Sequence, residues 1–217
     1  MTRPSVLVID AGLGNIGSVL AAFKRLDCSV ARVQQPPVPE STSDYTHALL
    51  PGVGSFAAGM KALQETGWNR WIKEVWCRAD RPFLGICLGM QLLASEGKEG
   101  SSGQAVVSGL DLIPGSVDRL DVGSDLVLPH VGWNSLQWNT SSTALSRGLP
   151  EGGDMYFVHS YVFNPSDLSH GLASSYYGQH FTAVIGKGSC FGVQFHPEKS
   201  QRLGRHLLEN FLALPQC

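Results

Sequence analysis

Short apolar runs separated by stretches of helical periodicity set the rhythm of the first half of the chain. Ser5 to Ile9 reads as a strand. A helix is expected from about Asn15 to Leu26, where Ile16, Val19, Leu20 and Phe23 recur at three- and four-residue steps and form one apolar stripe. Cys28 to Val33 and His47 to Leu50 read as two further strands, giving a β-α-β alternation. An amphipathic segment from about Phe56 to Ala79 leads into Pro82-Phe83-Leu84-Gly85-Ile86, a continuous apolar run typical of a parallel strand buried on both faces. Another helix is expected to start at Leu88.

From Gly100 to Asn139 the pattern changes to Gly, Ser and Asp turns between short strand-like pieces, Gln104 to Val107 and Asp125 to Leu128 among them. These predict antiparallel additions. Met155 to Phe163, Phe181 to Ile185 and Cys190 to Phe195 are further expected strands, and Leu203, Leu207, Leu208, Phe211 and Leu212 mark a closing helix. The predicted fold class is α/β, a three-layer sandwich with a mainly parallel central sheet plus antiparallel additions. Its ligand site should lie beyond the carboxyl ends of the strands. At 217 residues, with no repeat or linker, one domain spanning 1–217 is the expectation.

Composition narrows the function classes. With 43% hydrophobic and 16% charged residues the chain can fill a core and is not a disordered one. A formal charge of −2, spread along the sequence, offers no footprint for nucleic acid or an anionic membrane surface, and neither is expected as a partner. Met1 to Pro4 run directly into the first strand, too short for a signal or spanning segment, so a cytoplasmic protein is expected. The five cysteines, Cys28, Cys77, Cys87, Cys190 and Cys217, show no paired CxxC spacing, which argues against a disulfide framework and against a metal site.

One of them has a context for chemistry. Gly85-Ile86-Cys87-Leu88-Gly89 sits where an apolar strand meets an apolar helix and reproduces, with sulfur, the G-x-S-x-G nucleophile elbow. Small residues two before and two after let strand and helix approach across so tight a turn. Free amides and the dipole at the helix start favour a thiolate, and the Leu88 amide can face an oxyanion. An isolated cysteine is most often a small buried hydrophobe; the elbow reverses that for Cys87, while the other four keep the bland reading.

Phe195-His196-Pro197-Glu198 supplies a partner at a strand end. In extended chain, residues i and i+2 point the same way, so His196 and Glu198 share a side, with Pro197 stiffening the link. A carboxylate beside an imidazole fixes its tautomer and supports its protonated form, the logic of a nucleophile-base-acid triad. Pro51-Gly52-Val53-Gly54 follows the apolar run Ala48-Leu49-Leu50 and makes Val53 and Gly54 candidate oxyanion donors; alone it would be an ordinary Pro-Gly turn. Asp10 to Gly17 contains a literal G-x-G-x-x-G, but the acid that would hold a ribose is missing after Val30-Ala31-Arg32-Val33. No dinucleotide, and no other cofactor, is expected.

Gly85-Ile86-Cys87-Leu88-Gly89-Met90-Gln91 with Phe195-His196-Pro197-Glu198-Lys199 resembles the class I (triad) glutamine amidotransferases. Gly14-Asn15-Ile16-Gly17, Pro51-Gly52-Val53-Gly54, His130-Val131-Gly132-Trp133-Asn134 and Tyr156-Phe157-Val158-His159-Ser160-Tyr161 are similar to the branch serving imidazole glycerol phosphate synthases. The resemblance implies hydrolysis of glutamine to glutamate and ammonia by a Cys87-His196-Glu198 triad, and a heterodimer with a separate (β/α)8 cyclase subunit that receives the ammonia for histidine biosynthesis. It further implies that Gly52, Gln91, Glu99, His159, Ser160 and Tyr161 hold glutamine, with Asn15, Trp133, Tyr156 and Lys199 toward the cyclase. One departure is Ala11, where the family usually has tyrosine. Taken singly, Trp133 reads as a core aromatic and Tyr156 to Phe163 as a plain strand. The rival readings are a glutaminase serving another synthase, a Cys-His hydrolase of the same fold, and a catalytically silent binding module.

Overall fold

The computed structural model of the chain describes residues 3–14, 16–101, 105–124, 126–139 and 143–215. The first half lays down β1 (Ser5–Ile9), α1 (Ile16–Phe23), β2 (Ser29–Val33), α2 (Pro39–Thr42), β3 (His47–Gly52), α3 (Phe56–Thr66), α4 (Trp68–Arg70), β4 (Phe83–Cys87) and α5 (Leu88–Gln91). The second half is mostly β: β5 (Glu96–Gly97), β6 (Val107–Ser108), β7 (Gly115–Arg119), β8 (His130–Ser135), β9 (Gln137–Trp138), β10 (Asp154–His159), β11 (Tyr161–Pro165), β12 (Gly171–Tyr177), β13 (Gln179–Lys187) and β14 (Cys190–Val193). The helix α6 (Gln201–Leu212) follows.

The main sheet runs β2-β1-β3-β4-β14-β13-β11-β7-β5-β6, with β12 and β9 joined through β13. From β2 to β14 every pairing is parallel, and these strands carry the site. From β14 onward the sheet extends by antiparallel pairs to β13, β11 and β7. Alternation along the strands builds the two flanking layers. Val6, Val8, Leu49, Leu84 and Ile86 face α1 and α6 through Val19, Phe23, Leu207, Leu208 and Phe211. Leu7, Ile9, Ala48, Leu50 and Phe83 face α3 and the tryptophans that follow it, through Phe56, Met60, Leu63, Trp68, Trp71 and Trp76. Both faces of the parallel strands are thus covered, which is why they read as unbroken apolar runs.

Several expected elements are modified by tertiary contacts. The amphipathic segment from Phe56 is interrupted at Gly67, whose φ of 78° ends α3, and resumes as α4 and a π-helical turn over Trp71–Trp76. The helix expected from Leu88 stops at Gln91. Its carbonyls do not continue the ladder, because Leu92, Leu93 and Ala94 accept instead from the amides of Leu110, Leu112 and Asp111 on the returning chain. Met155 to Phe163 is not one strand: it breaks at Ser160 into β10, which pairs with β8 in a separate two-stranded sheet, and β11, which joins the main sheet. Nothing in the apolar pattern predicts that small sheet. Of the expected pieces Gln104 to Val107 and Asp125 to Leu128, Gln104 and Asp125 lie outside the described residues, Val107 belongs to β6, and Leu126 to Leu128 form no strand.

Candidate active site

Cys87 is the last residue of β4 and precedes α5, at φ 54° and ψ −110°. A non-glycine residue with positive φ is strained, and such strain persists only where the surroundings impose it. Here they do. A Cβ on Gly85 would sit 2.5 Å from the Gly89 carbonyl oxygen, and one on Gly89 would run into the Leu50 carbonyl oxygen of the neighbouring strand. Both obstacles are backbone. Gly89→Ala is therefore expected to destabilise the fold by about 3 kcal/mol or more, as overpacking against atoms that cannot yield does. Urea denaturation of the variant and the parent measures this; an unchanged midpoint would remove the steric account of the elbow. Because α5 has only four residues, what it offers beside the sulfur is its free first-turn amides rather than a long helix dipole.

His196 reaches the sulfur from the chain that leaves β14. Its Nδ1 donates to Glu198 Oε1 at 2.8 Å, both side chains being buried, and this leaves Nε2 as the nitrogen for Cys87. The pair does not arise from strand alternation as expected. Pro197–Lys199 form a 3-10 turn, and the turn folds the carboxylate back onto the ring. The turn is held by the Ser200 hydroxyl, which donates to the His196 carbonyl (2.6 Å) and accepts from the Tyr156 amide (3.0 Å). Burial opposes charge on His196, but the Cys87 side chain and the Glu198 carboxylate outweigh it and raise its pKa to about 9. Glu198 Oε2 is buried without a partner among the described residues and borders a void of about 20 Å³, room for one water molecule.

In front of Cys87 and His196 opens a cavity of about 450 Å³. Of the residues singled out in the sequence, Val53, Gly54, Leu88, Gln91, Glu99, His159, Ser160, Tyr161 and Lys199 line it together with Cys87 and His196. Gly52 does not: it lies opposite Cys87 in the β3/β4 register and borders the small void instead. Burial raises the Glu99 pKa, with a backbone hydrogen bond from Phe56 opposing. The Val53 amide is not turned toward the sulfur as a donor would be. It donates to the Leu13 carbonyl at 2.7 Å, with the Val53 side chain seated against Gly14. A peptide rotation is needed before Val53 can serve an oxyanion. The Leu13 loop is itself fixed by Asp10, which accepts from Gly12 N (3.2 Å) and Arg32 Nε (2.6 Å); a cation thus stands where a ribose-binding acid would.

A polar chain closes the far side of the cavity. His159 Nδ1 donates to the Tyr161 carbonyl (3.0 Å), so its Nε2 accepts from His130 Nδ1 (3.1 Å). Burial lowers the pKa of His130 to about 4 and, with His130 and His196 adding repulsion, that of His159 to about 3. Both rings are neutral in the folded protein at neutral pH, whereas in the unfolded chain they take up protons near pH ~6.5. Stability from the pair is therefore present above pH ~6.5 and is lost on acidification toward about pH 4 for His130 and about pH 3 for His159, by roughly 2 kcal/mol for each ring at pH 5. Buried His47, lowered to about 4, adds in the same direction. The contribution of His196 has the opposite window: it is present below pH ~6.5 and disappears as pH rises through about 9. Urea midpoints at pH 7 and pH 5 test the acid limb, and an equal midpoint at both would contradict the buried neutral histidines.

Beside the cavity mouth, Trp133 meets Tyr156 edge-on (5.8 Å between ring centroids), and Lys199 Nζ lies 5.8 Å from the Tyr156 ring. Trp133 is not a core aromatic: it is 47% exposed, with Val131 at 56% and Val53 at 48%. The strand pairing of β8 and β10 sets Trp133 opposite Tyr156. Asn15 lies outside the described residues, and Ala11 is buried. Gln194 is a residue that no sequence motif singles out. It is fully buried, with Nε2 3.8 Å from Cys87 Sγ and Oε1 accepting from Gln91 Nε2 at 3.0 Å. Its one signal in the sequence is an amide side chain inside the apolar run Cys190 to Phe195. Among the described residues no group of three or more His, Cys, Asp or Glu side chains is placed to hold a metal ion.

A strained cysteine elbow, a His-Glu pair from a distant strand end and a substrate-sized cavity make a thiol hydrolase geometry, and the family model described as glutamine amidotransferase class-I matches residues 7–214. The chain belongs to that family. Within it the chain is 53% identical to imidazole glycerol phosphate synthase subunit HisH 1 of Prochlorococcus marinus, over 98% of this chain and 98% of the relative. It is 45% identical to subunit HisH of Moorella thermoacetica, over 96% of this chain and 94% of the relative. Among solved structures the fold is shared with a glutamine amidotransferase from Thermotoga maritima (TM-score 0.70, 18% identity, 99% of this chain and 100% of that one). It is shared as well with a chain of PurLQS from Thermotoga maritima (TM-score 0.73, 16% identity, 97% and 98%).

Proposed function

We infer that this chain is the glutaminase subunit of an imidazole glycerol phosphate synthase, and that Cys87, His196 and Glu198 carry its chemistry. The observation that supports this most directly is the convergence of a buried His196-Glu198 pair on an elbow cysteine at the end of a cavity lined by Gln91, Glu99 and Tyr161. Full-length similarity to subunits of that synthase favours it over a glutaminase for another synthase. Cys87 gives its proton to His196 and its sulfur attacks the side-chain amide carbon of glutamine. His196 then protonates the leaving nitrogen, so that ammonia departs and a thioester remains on Cys87. A water molecule, deprotonated by His196, cleaves the thioester and releases glutamate. Glu99, across the cavity, has the charge to bind the substrate's α-ammonium group.

The released ammonia is passed to a separate (β/α)8 cyclase subunit. Exposed Val53, Val131 and Trp133, with Tyr156 and Lys199, surround the cavity mouth and form the face for that subunit. Large exposed apolar side chains grouped beside an active site are what an interface needs. The setting is cytoplasmic biosynthesis, a reading that rests on the likeness to subunits of a biosynthetic synthase. Among the described residues, no helix is long and apolar enough to cross a membrane. Glutamate release from glutamine, measured with the chain alone and with the cyclase plus its ribonucleotide ligand, tests the assignment. Turnover that ignores the partner would favour an independent hydrolase.

A further inference from the structure

We propose that Gln194 is a further catalytic residue, an N–H donor to Cys87 Sγ that holds the thiolate charge during attack on the amide; this rests on Cys87 being the nucleophile. Gln194 lies between the last residue of β14 and His196 and is fully buried. A buried amide must find partners for both its ends. Which end faces the sulfur is settled by the partners rather than by the shape of the side chain, since an amide fits either way round.

The Tyr161 carbonyl fixes the whole chain of donors, because it can only accept. It receives His159 Nδ1–H and the Gln91 side-chain amide, each at 3.0 Å, so the nitrogen of Gln91 must face it. The same NH2 group has a second hydrogen, and Gln194 Oε1 lies 3.0 Å away to take it. That leaves the NH2 of Gln194 facing Cys87 Sγ, at 3.8 Å. The reversed amide would set two NH2 groups against each other and an oxygen lone pair against sulfur. The sense of the Gln194 amide is thus imposed from a carbonyl two steps away.

Charge makes this donor matter. Besides His196 and Gln194, the sulfur meets the Val158 carbonyl oxygen, 3.7 Å away, which suits an S–H and repels an S⁻. When His196 takes the proton, the electron pair stays on sulfur and the contact to Val158 loses its hydrogen. The Gln194 N–H remains, aimed at the new charge, and a hydrogen bond to an ionised partner is roughly twice as strong as a neutral one. Gln91 then acts as a positioning residue, through Gln194.

The test uses the intact chain with Gln194→Met and Gln194→Glu. Iodoacetamide alkylation of Cys87, followed peptide by peptide by mass spectrometry, is recorded against pH. In Gln194→Met the rate at pH 7 is expected to fall about tenfold, the equivalent of one pH unit along the profile, and further in Gln194→Glu. With the cyclase bound, the rising limb of kcat/KM for glutamine should move by the same amount, with KM little changed. A Cys87 alkylation profile that overlays the parent's, in a variant with an unchanged thermal midpoint, overturns the proposal. In the unaltered protein the side-chain NH2 signals of Gln194, assigned by NMR through its own backbone, should shift over the pH range in which Cys87 alkylation rises. Stationary signals overturn it too, whether or not the variants fold. Neither readout needs glutamine, so failure of the glutaminase assignment would show separately, as loss of the kinetic arm alone.

Discussion

Cys87→Ala, assayed in the complex with the cyclase, is expected to release glutamate from glutamine at a rate lower by on the order of 10⁵-fold or more, because no second group can form the acyl intermediate. The fold should survive. Alanine fills no more space than cysteine, and the strained backbone at φ 54° is imposed by packing of Gly85 and Gly89 against neighbouring backbone, not by the thiol. Cys87 Sγ interacts with His196, supporting the charge on that ring, and has long contacts to Val158 (3.7 Å) and Gln194 (3.8 Å); its removal takes away support for the His196 charge but little packing. Matching thermal midpoints with activity lost would separate chemistry from folding. Glutamate release within tenfold of the parent would instead place the nucleophile elsewhere, and the triad would have to be withdrawn.

The second large effect concerns the partner. With Val53 as an oxyanion donor, as its place at the cavity suggests, the hold of the Leu13 carbonyl on its amide at 2.7 Å leaves the free chain one donor short. Missing a donor of this kind costs about 2.7 to 4 kcal/mol, or roughly a hundred- to thousandfold in rate. Binding of the cyclase with its ribonucleotide ligand is expected to raise glutamine turnover by that factor, with Val53 at 48% exposure close enough to the docking face to be pushed. The measurement is the steady-state rate of glutamate formation with partner alone, ligand alone and both together. Equal rates in all conditions would mean that the Val53 peptide is not what limits the free chain.

Much of the layout follows from local pattern. Alternation along Ser5–Ile9 and His47–Gly52 places odd and even residues on opposite faces of the sheet, and both faces turn out to be buried, as unbroken apolar runs require. The stripe Leu203, Leu207, Leu208 and Phe211 anticipates α6, whose inner residues pack on the same face as α1. The elbow is legible as well, because the reasons for Gly85 and Gly89 are short-range sterics. Less legible is the region from Met155 to Phe163. Its apolar period is continuous, yet the chain changes sheets at Ser160, because β10 finds its hydrogen bonds on β8 and β11 finds them on β7 and β13.

By itself, then, the sequence determined the alternation of strands and helices, the cysteine elbow and the His196-Pro197-Glu198 partner, since each depends on residues a few positions apart. Tertiary structure alone decided which of these meet and how their polar groups are aimed. Gln194 and Cys87 are 107 residues apart, and the amide of one faces the sulfur of the other only because Gln91 and the Tyr161 carbonyl dictate its sense. The Val53 amide points to Leu13 rather than into the cavity because a competing carbonyl from another loop lies within reach. Periodicity records which side of an element is dry; it carries no record of which distant donor or acceptor will satisfy a buried polar group.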